Sequence, residues 1–374
     1  MNDIIYITLE QAIEIHRKTV LYSGGGALGH FDLGRLESVL QHIQNDDYYP
    51  TFVDNGPDNP VNRGGVGVYK YDKDARTLTP QGDASLEGAE FTIYNKSSKP
   101  VVVNGKTCAV DAAVMTIKSN SGSFAATGRE DLPIGKYLIK ETKAPTGYKL
   151  ASFEHTFSIT TKGEFVTFVD DTAVYEPVVR GGVTVIKSDA DRVATGIGDG
   201  NVPQGDANMA GAKFSIINES VNAVVVNGSS YAPGSIVATI VTDKNGVATT
   251  DTDGDGKDYT LPYGSYRIKE VSGTSSYNVD VNYSATFKIT EDGSVVTASD
   301  YSVQPVREPV VRGGIAGYKH DWDKMVHEAD ADSKLGAQGD ANLAGIEFTV
   351  FNASDNAVYV NGKWFNKNDA VLKL

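Results

Sequence analysis

From about residue 64 onward, β-branched and aromatic residues alternate with polar ones in short runs. Lys136-Tyr137-Leu138-Ile139-Lys140-Glu141 and Ser265-Tyr266-Arg267-Ile268-Lys269-Glu270 are typical. A period of two is the signature of a half-buried strand. Gly, Asn and Asp punctuate these runs, and no helical period longer than two turns stands out after residue 50. The first 50 residues differ. Thr8 with Gln11 makes a capping box for a helix over roughly 9–20, Gly24-Gly25-Gly26 stops it, and Asp32 can cap a second helix over about 33–44. Leu36, Val39, Leu40 and Ile43 form the apolar stripe of that second helix.

The strand pattern repeats. Arg63-Gly64-Gly65, Arg180-Gly181-Gly182 and Arg312-Gly313-Gly314 each precede an alternating stretch that ends in lysine: Lys70, Lys187 and Lys319. Gln-Gly-Asp-Ala follows at 81–84, 204–207 and 338–341, and then an Asn-Gly pair at 104–105, 227–228 and 361–362. Asn-Gly accepts the positive φ angles of a two-residue hairpin turn. The expected organisation is a helical segment at 1–50, a linker or remnant closing strand at 51–63, complete β units at 64–180 and 181–312, and a partial unit at 313–374. The expected fold class is mainly β, in tandem Ig-like or transthyretin-like β-sandwiches.

Composition narrows the function classes. The 374 residues carry 34 basic and 48 acidic side chains, a net charge of −14. That balance argues against a nucleic-acid partner and against docking on an anionic membrane. One cysteine, Cys108, excludes an internal disulfide framework and a cysteine zinc site. No apolar run is long enough for a membrane span. Neither a secretory leader nor a wall-sorting motif is expected from the residues at either end, and no cofactor is called for.

Aligning the two complete units brings three ionisable residues into register: Lys70, Glu141 and Asp170 in the first, Lys187, Glu270 and Asp300 in the second. Alternation puts Val66, Val68 and Lys70 on one face, as it does Tyr137, Ile139 and Glu141, and Val166, Phe168 and Asp170. Buried together, such groups can react. Desolvation lowers a lysine's pKa and raises a carboxyl's. A neutral amine can then attack a carboxylic acid, while a second carboxyl moves the protons. The same spacing also suits a buried salt bridge, or plain solvent-facing strand residues.

Ile139-Lys140-Glu141-Thr142-Lys143-Ala144-Pro145-Thr146-Gly147-Tyr148 resembles the glutamate-bearing strand of SpaA-type and Cna-B-type domains, the prealbumin-like sandwiches of Gram-positive pilins and surface adhesins. The strand holding Lys70, the stretch Leu86–Phe91 and the closing strand are similar to the same family, over about 64–374. The resemblance implies a Lys70–Asp170 isopeptide bond with Glu141 as acid/base, and by matching a Lys187–Asp300 bond with Glu270. It implies a cell-surface or extracellular stalk, pilin or adhesin, with a single-turnover cross-link and no enzyme activity. Implied partners are neighbouring surface subunits and a host matrix protein or glycan, for which Tyr231 and Trp364 are the aromatic candidates. Lys319 has neither a Glu nor an Asp counterpart in this alignment, so no bond is expected there.

Residues 4–52, with Ile7–Ala12, Ile15–Lys18, Asp32–Ser38 and Tyr48–Phe52, resemble the start of Doc-type Fic proteins. The His-x-Phe-x-Asp-Gly-Asn-x-Arg loop that carries that family's chemistry is absent, so Fic activity is not expected. Asp251, Asp253 and Asp255 have the spacing of a calcium loop, but Pro262 stands at its twelfth position and strands flank it, which favours an acidic turn. The Asn-x-Ser sites at Asn95, Asn218 and Asn352 recur with the repeat and read as turn formers. Cys108 reads as packing.

Overall fold

The computed structural model describes residues 61–374 except 198–199, 251–260, 280–281, 298–305 and 328–335. The helices expected within 1–50, the remnant strand at 51–60, and Asp251, Asp253, Asp255 and Asp300 lie outside the described residues. Among the described residues no helix is long and apolar enough to cross a membrane.

The first repeat has eleven strands: β1 (Arg63–Asp72), β2 (Glu90–Asn95), β3 (Val101–Val103), β4 (Lys106–Cys108), β5 (Ala113–Lys118), β6 (Phe124–Ala126), β7 (Leu132–Pro133), β8 (Gly135–Lys143), β9 (Glu154–Ile159), β10 (Phe165–Phe168) and β11 (Val174–Glu176). Nine of them make a two-sheet sandwich, and two, β3 and β4, a separate hairpin. One sheet is antiparallel, in the order β5-β2-β8-β9. The other is organised around β1. On one side β1 pairs antiparallel with β7 and then β6; on the other it pairs parallel with β10 and then β11. Val66, Val68, Phe91, Ile93, Tyr137, Ile139, Phe157 and Phe168 interlock between the sheets. Tyr137 is fully buried, and its hydroxyl donates to the Pro133 carbonyl at 2.7 Å, so no polar atom is stranded.

The second repeat has the same plan: β12 (Arg180–Asp189), β13 (Lys213–Asn218), β14 (Val224–Val226), β15 (Ser229–Tyr231), β16 (Ile236–Val241), β17 (Val247–Thr249), β18 (Leu261–Pro262), β19 (Gly264–Ser272), β20 (Ser284–Ile289), β21 (Val295–Thr297) and β22 (Val306–Glu308). β12 takes the place of β1, with β21 and β22 parallel to it and β17 and β18 antiparallel. It adds one short helix, α1 (Ala190–Thr195), capped by the Asp189 side chain. Among the described residues the third stretch holds α2 (Trp322–His327), a ladder of β23 (Thr349–Phe351) with β26 (Ala370–Lys373), and between them the hairpin of β24 (Val358–Val360) with β25 (Lys363–Phe365).

Local chemistry explains the repeated motifs. Asn104, Asn227 and Asn361 each take φ near 49°, and each is followed by a positive-φ glycine. These are the tight turns of the β3–β4, β14–β15 and β24–β25 hairpins. In the Arg-Gly-Gly motif, a Cβ on Gly64 would sit 2.3 Å from the Glu164 carbonyl, and one on Gly181 2.5 Å from that of Ser294. Glycine is required there because the parallel neighbour packs backbone against backbone. Asn95, Asn218 and Asn352 are buried turn formers. Each accepts the N–H of the serine two residues on and donates to loop carbonyls. Cys108 is buried in the first core.

Candidate functional site: two buried lysine–carboxylate clusters

Lys70 lies near the end of β1 with its side chain wholly inside the first sandwich. Its neighbours on the same face are Val66 and Val68, so alternation drives the ammonium into the core. There it donates to Glu141 Oε1 of β8 at 2.6 Å and to Glu176 Oε1 of β11. The Phe91 ring lies under Nζ, 5.0 Å away at its centroid. Glu141 comes from the facing sheet and Glu176 from the strand beside β1, so the cluster ties both sheets and the first and last strands at one point. Glu141 Oε2 accepts the Ala151 N–H at 3.1 Å, whereas Glu176 Oε2 has no hydrogen-bond partner.

The second repeat builds the same cluster. Lys187 of β12 donates to Glu270 Oε1 of β19 at 3.1 Å and to Glu308 Oε2 of β22. All six side chains are at most 2% exposed. An isolated buried charge is costly, and each cluster sets one ammonium against two carboxyls. Burial, reinforced by the hydrogen bond to Glu141, pushes Glu176 up to about 8. Burial and the hydrogen bond to Glu308 push Glu270 up to about 7. Burial thus favours the neutral acid at the closing-strand glutamate of the first cluster and at the middle-strand glutamate of the second.

The alignment therefore finds four of the six members, Lys70, Glu141, Lys187 and Glu270, and the structure brings each lysine to its glutamate. Asp170 does not join them. After Phe168 the chain leaves the strand for a single 3-10 turn, Asp170–Thr172, in which Asp170 has φ 53° and an exposed side chain. That turn breaks the two-residue alternation on which its inward placement rested. The strand resumes as β11 with Lys70 opposite Val174, and Glu176, two residues on and on the same face, reaches back to Nζ. The residue facing Lys70 from the closing strand is thus Glu176, and its counterpart facing Lys187 is Glu308. A signal for both is present in the sequence: Glu-Pro-Val-Val-Arg-Gly-Gly is identical at 176–182 and 308–314. Lys319 is exposed and in no strand.

A second polar cluster lies one turn of alternation further along each first strand. Asp72 is fully buried and accepts the Tyr148 hydroxyl at 2.8 Å and both Gln81 Nε2 contacts at 2.9 and 3.1 Å. Asp189, Tyr277 and Gln204 repeat it. Burial and the adjacent aspartate push both tyrosines up, so they stay as neutral donors. The glutamine of Gln-Gly-Asp-Ala thus satisfies a buried carboxylate. Trp364 is half-buried against the second repeat: its Nε1 donates to Thr195 Oγ1 at 3.0 Å, and Arg192 lies over its ring. Tyr231 is half-buried against the second core. Neither is the exposed loop aromatic expected of a ligand site.

In both repeats the first strand runs parallel to the last within one sheet of a β-sandwich. A family model for the SpaA prealbumin-like fold domain matches residues 66–172 and 203–302. The chain belongs to that family. No curated protein matches it. Among solved structures it is similar to the Bacillus anthracis TIE protein, at 25% identity over 66% of this chain and 34% of that one, with a TM-score of 0.39. A streptococcal ancillary pilin follows at 18% identity, 67% and 63% coverage and a TM-score of 0.25. GBS52, the minor pilin of Streptococcus agalactiae, has 16% identity, 68% and 100% coverage and a TM-score of 0.25. The chain spans about a third of the first of these proteins and 63% of the second.

Proposed function

We propose that the chain is a structural cell-surface protein, a pilin or adhesin stalk, whose two complete sandwiches are each closed by an autocatalytic isopeptide bond. The proposed bonds are Lys70–Glu176 and Lys187–Glu308, with Glu141 and Glu270 as the respective proton carriers. The observation that carries this reading is the fully buried contact of Lys70 Nζ with carboxyls from both the facing sheet and the closing strand.

The chemistry balances within the cluster. Glu141, as carboxylate, takes a proton from the Lys70 ammonium. The free amine attacks Cδ of Glu176, which is present as a carboxylic acid. The C–OH bond breaks and one water leaves. The products are a neutral amide and a protonated Glu141, so no charge remains buried. In the first repeat the raised pKa of Glu176 supports this, because the electrophile must be protonated; in the second the raised carboxyl is Glu270, the proton carrier.

A mechanical role follows from the topology. Tension enters each repeat through the first strand and leaves through the last, which run parallel and side by side. A bond between Lys70 and Glu176 carries that load directly, and the segment between them bears none. The family's pilins and adhesins are surface shafts, which supports the same role here, with neighbouring surface subunits as partners.

Intact-mass spectrometry of the purified chain tests the proposal. The expected mass is two waters below the sequence mass, with proteolytic fragments joining Lys70 to Glu176 and Lys187 to Glu308. An unshifted mass refutes the cross-link. Fragments joining Lys70 to Asp170 would return the acceptor to the aspartate.

A further inference from the structure

The Gln-Gly-Asp turn does more than satisfy a buried aspartate, because its outer side is a joint between repeats. At the first junction the Val225 N–H donates to Gln81 Oε1 at 3.0 Å, the Val221 N–H to Asp83 Oδ1 at 2.9 Å, and the Gly82 N–H to the Ala223 carbonyl. The Arg180 guanidinium donates to Asp74 and to the Val225 carbonyl. The second junction repeats the pattern. The Tyr359 N–H meets Gln204 Oε1, the Asp355 N–H meets Asp206, and Arg312 reaches Asp191 and the Tyr359 carbonyl. The groups that meet are main-chain atoms or side chains present at both junctions. Such contacts hold an edge to a turn without telling one repeat from another, and docking on the wrong neighbour is a characteristic fault of tandem repeats.

Two positions that meet at the second junction differ from their counterparts at the first. The Asn-Gly turns put Trp364 where the second repeat has Ser230, and each lies across the hairpin from the residue that bonds the glutamine, Tyr359 or Val225. On the turn side, Asp72 and Asp189 each accept the N–H groups two and three residues on, which puts Arg192 where the first repeat has Ala75. The Arg192 guanidinium lies 4.9 Å from the centre of the Trp364 ring, and the indole Nε1 donates to Thr195 Oγ1 at 3.0 Å. Tyr359 packs beside the indole, with ring centres 5.2 Å apart. Arg192 is buried, and its Nε has no hydrogen-bond partner, so the ring face is what covers the guanidinium. Arg192 and Thr195 both belong to α1, and no helix follows Asp72 in the first repeat. Eight residues separate Asp72 from Gln81, whereas fourteen separate Asp189 from Gln204, and the longer segment has room for the extra turn.

We propose that Trp364 and Arg192 are a key that assigns the third repeat to the second. Of the two turns that precede it, the Trp364 edge finds its partners on the second repeat's and not on the first's. The Ser230 edge, set on the second repeat's turn, leaves Arg192 uncovered. The matched pairs are therefore Arg192 with Trp364 and Ala75 with Ser230. Either exchange of partners within the chain forfeits the ring–guanidinium contact and the indole hydrogen bond, and that difference is what selects the order. The key acts between repeats and does not depend on a cross-link inside either sandwich.

Amide hydrogen exchange of the full chain, followed by NMR, tests it. The Tyr359 N–H, held by Gln204, reports the second joint, and the Val225 N–H, held by Gln81, reports the first. W364S and R192A install the first junction's residues at the second. Each should speed exchange at Tyr359 about tenfold and leave Val225 as it was. The double variant should exchange no faster than W364S, because the two side chains make one contact. S230W, which sets an indole on the turn that carries Ala75, should speed exchange at Val225 instead. The Val358 and Val360 amides lie in the β24–β25 ladder and should keep their rates in every variant. Unchanged protection at Tyr359 in W364S and R192A overturns the proposal, and so does S230W without effect at Val225. Additive losses in the double variant overturn it too, since Trp364 and Arg192 would then act separately. Faster exchange at Val358 and Val360 to match Tyr359 does the same, because the hairpin itself would have opened rather than the joint.

Discussion

Replacing Glu141 by Gln isolates the covalent contribution to the first repeat. The change keeps the side chain's volume and its contact with the Ala151 N–H side of the pocket, but removes the base that would deprotonate Lys70. Lys70 and Glu176 then remain side by side as an unlinked pair. They lie 106 positions apart in the chain, so a bond between them closes a loop of about 100 residues. Constraining an unfolded loop of that size is worth about 4.7 kcal/mol in the chain-entropy picture. A domain near 100 residues shifts by at least about 4 °C per kcal/mol, so the first repeat should lose about 20 °C in Tm. The second repeat keeps its own cluster, and its transition should stay put. Differential scanning calorimetry resolves the two transitions, and intact mass should show the variant one water short of its own sequence mass where the parent is two short. If both the mass deficit and the lower transition are unchanged, the role given to Glu141 is wrong. If the deficit shrinks without a change in Tm, the bond exists but does not stabilise.

Three further outcomes are expected. Lys70→Met removes the ammonium that holds Glu176 down, so that carboxyl stays raised above its unfolded value at least as far as in the parent. A raised carboxyl makes the native state bind more protons, so stability is greatest below the unfolded pKa and is lost as pH rises toward about 8. Thermal melts of Lys70→Met from pH 5 to 8 should fall, while the parent, with the pair consumed in an amide, should stay flat. Gln204→Ala strips buried Asp189 of its amide donor and should cost about 1–3 kcal/mol, read as a lower urea midpoint for the second repeat. Gly64→Ala forces a Cβ against the Glu164 carbonyl and should destabilise the first repeat by about 1–3 kcal/mol, again by urea titration; an unchanged midpoint would mean β1 and β10 are not closely paired.

Much of the fold is legible because its signals are local. The alternation in 136–141 and 265–270 marks β8 and β19, and Asn-Gly marks three hairpins through the turn's own φ demands. The lysine and the middle-strand glutamate of each cluster are legible for the same reason. Both sit inside unbroken strands, where every second residue faces the core. The closing carboxylate is not, because a 3-10 turn interrupts its strand. Counting by twos through Asp170 carries the wrong residue inward. The repeated Glu-Pro-Val-Val-Arg-Gly-Gly would have named Glu176 and Glu308 as a matched pair, but not what they face. Likewise the three Gln-Gly-Asp-Ala copies announce a repeated duty without saying that it is a joint.

Sequence alone determined the class of fold, the period of the repeats and the placement of Lys70, Lys187, Glu141 and Glu270 on apolar strand faces, since each follows from neighbours a few residues away. Tertiary structure alone decided which carboxyl meets each lysine, and that Gln81 and Gln204 join one repeat to the next. Those partners lie 106 to 155 positions off in the chain. Only the pairing of first strand with last, and the packing of one sandwich on the next, bring them within reach.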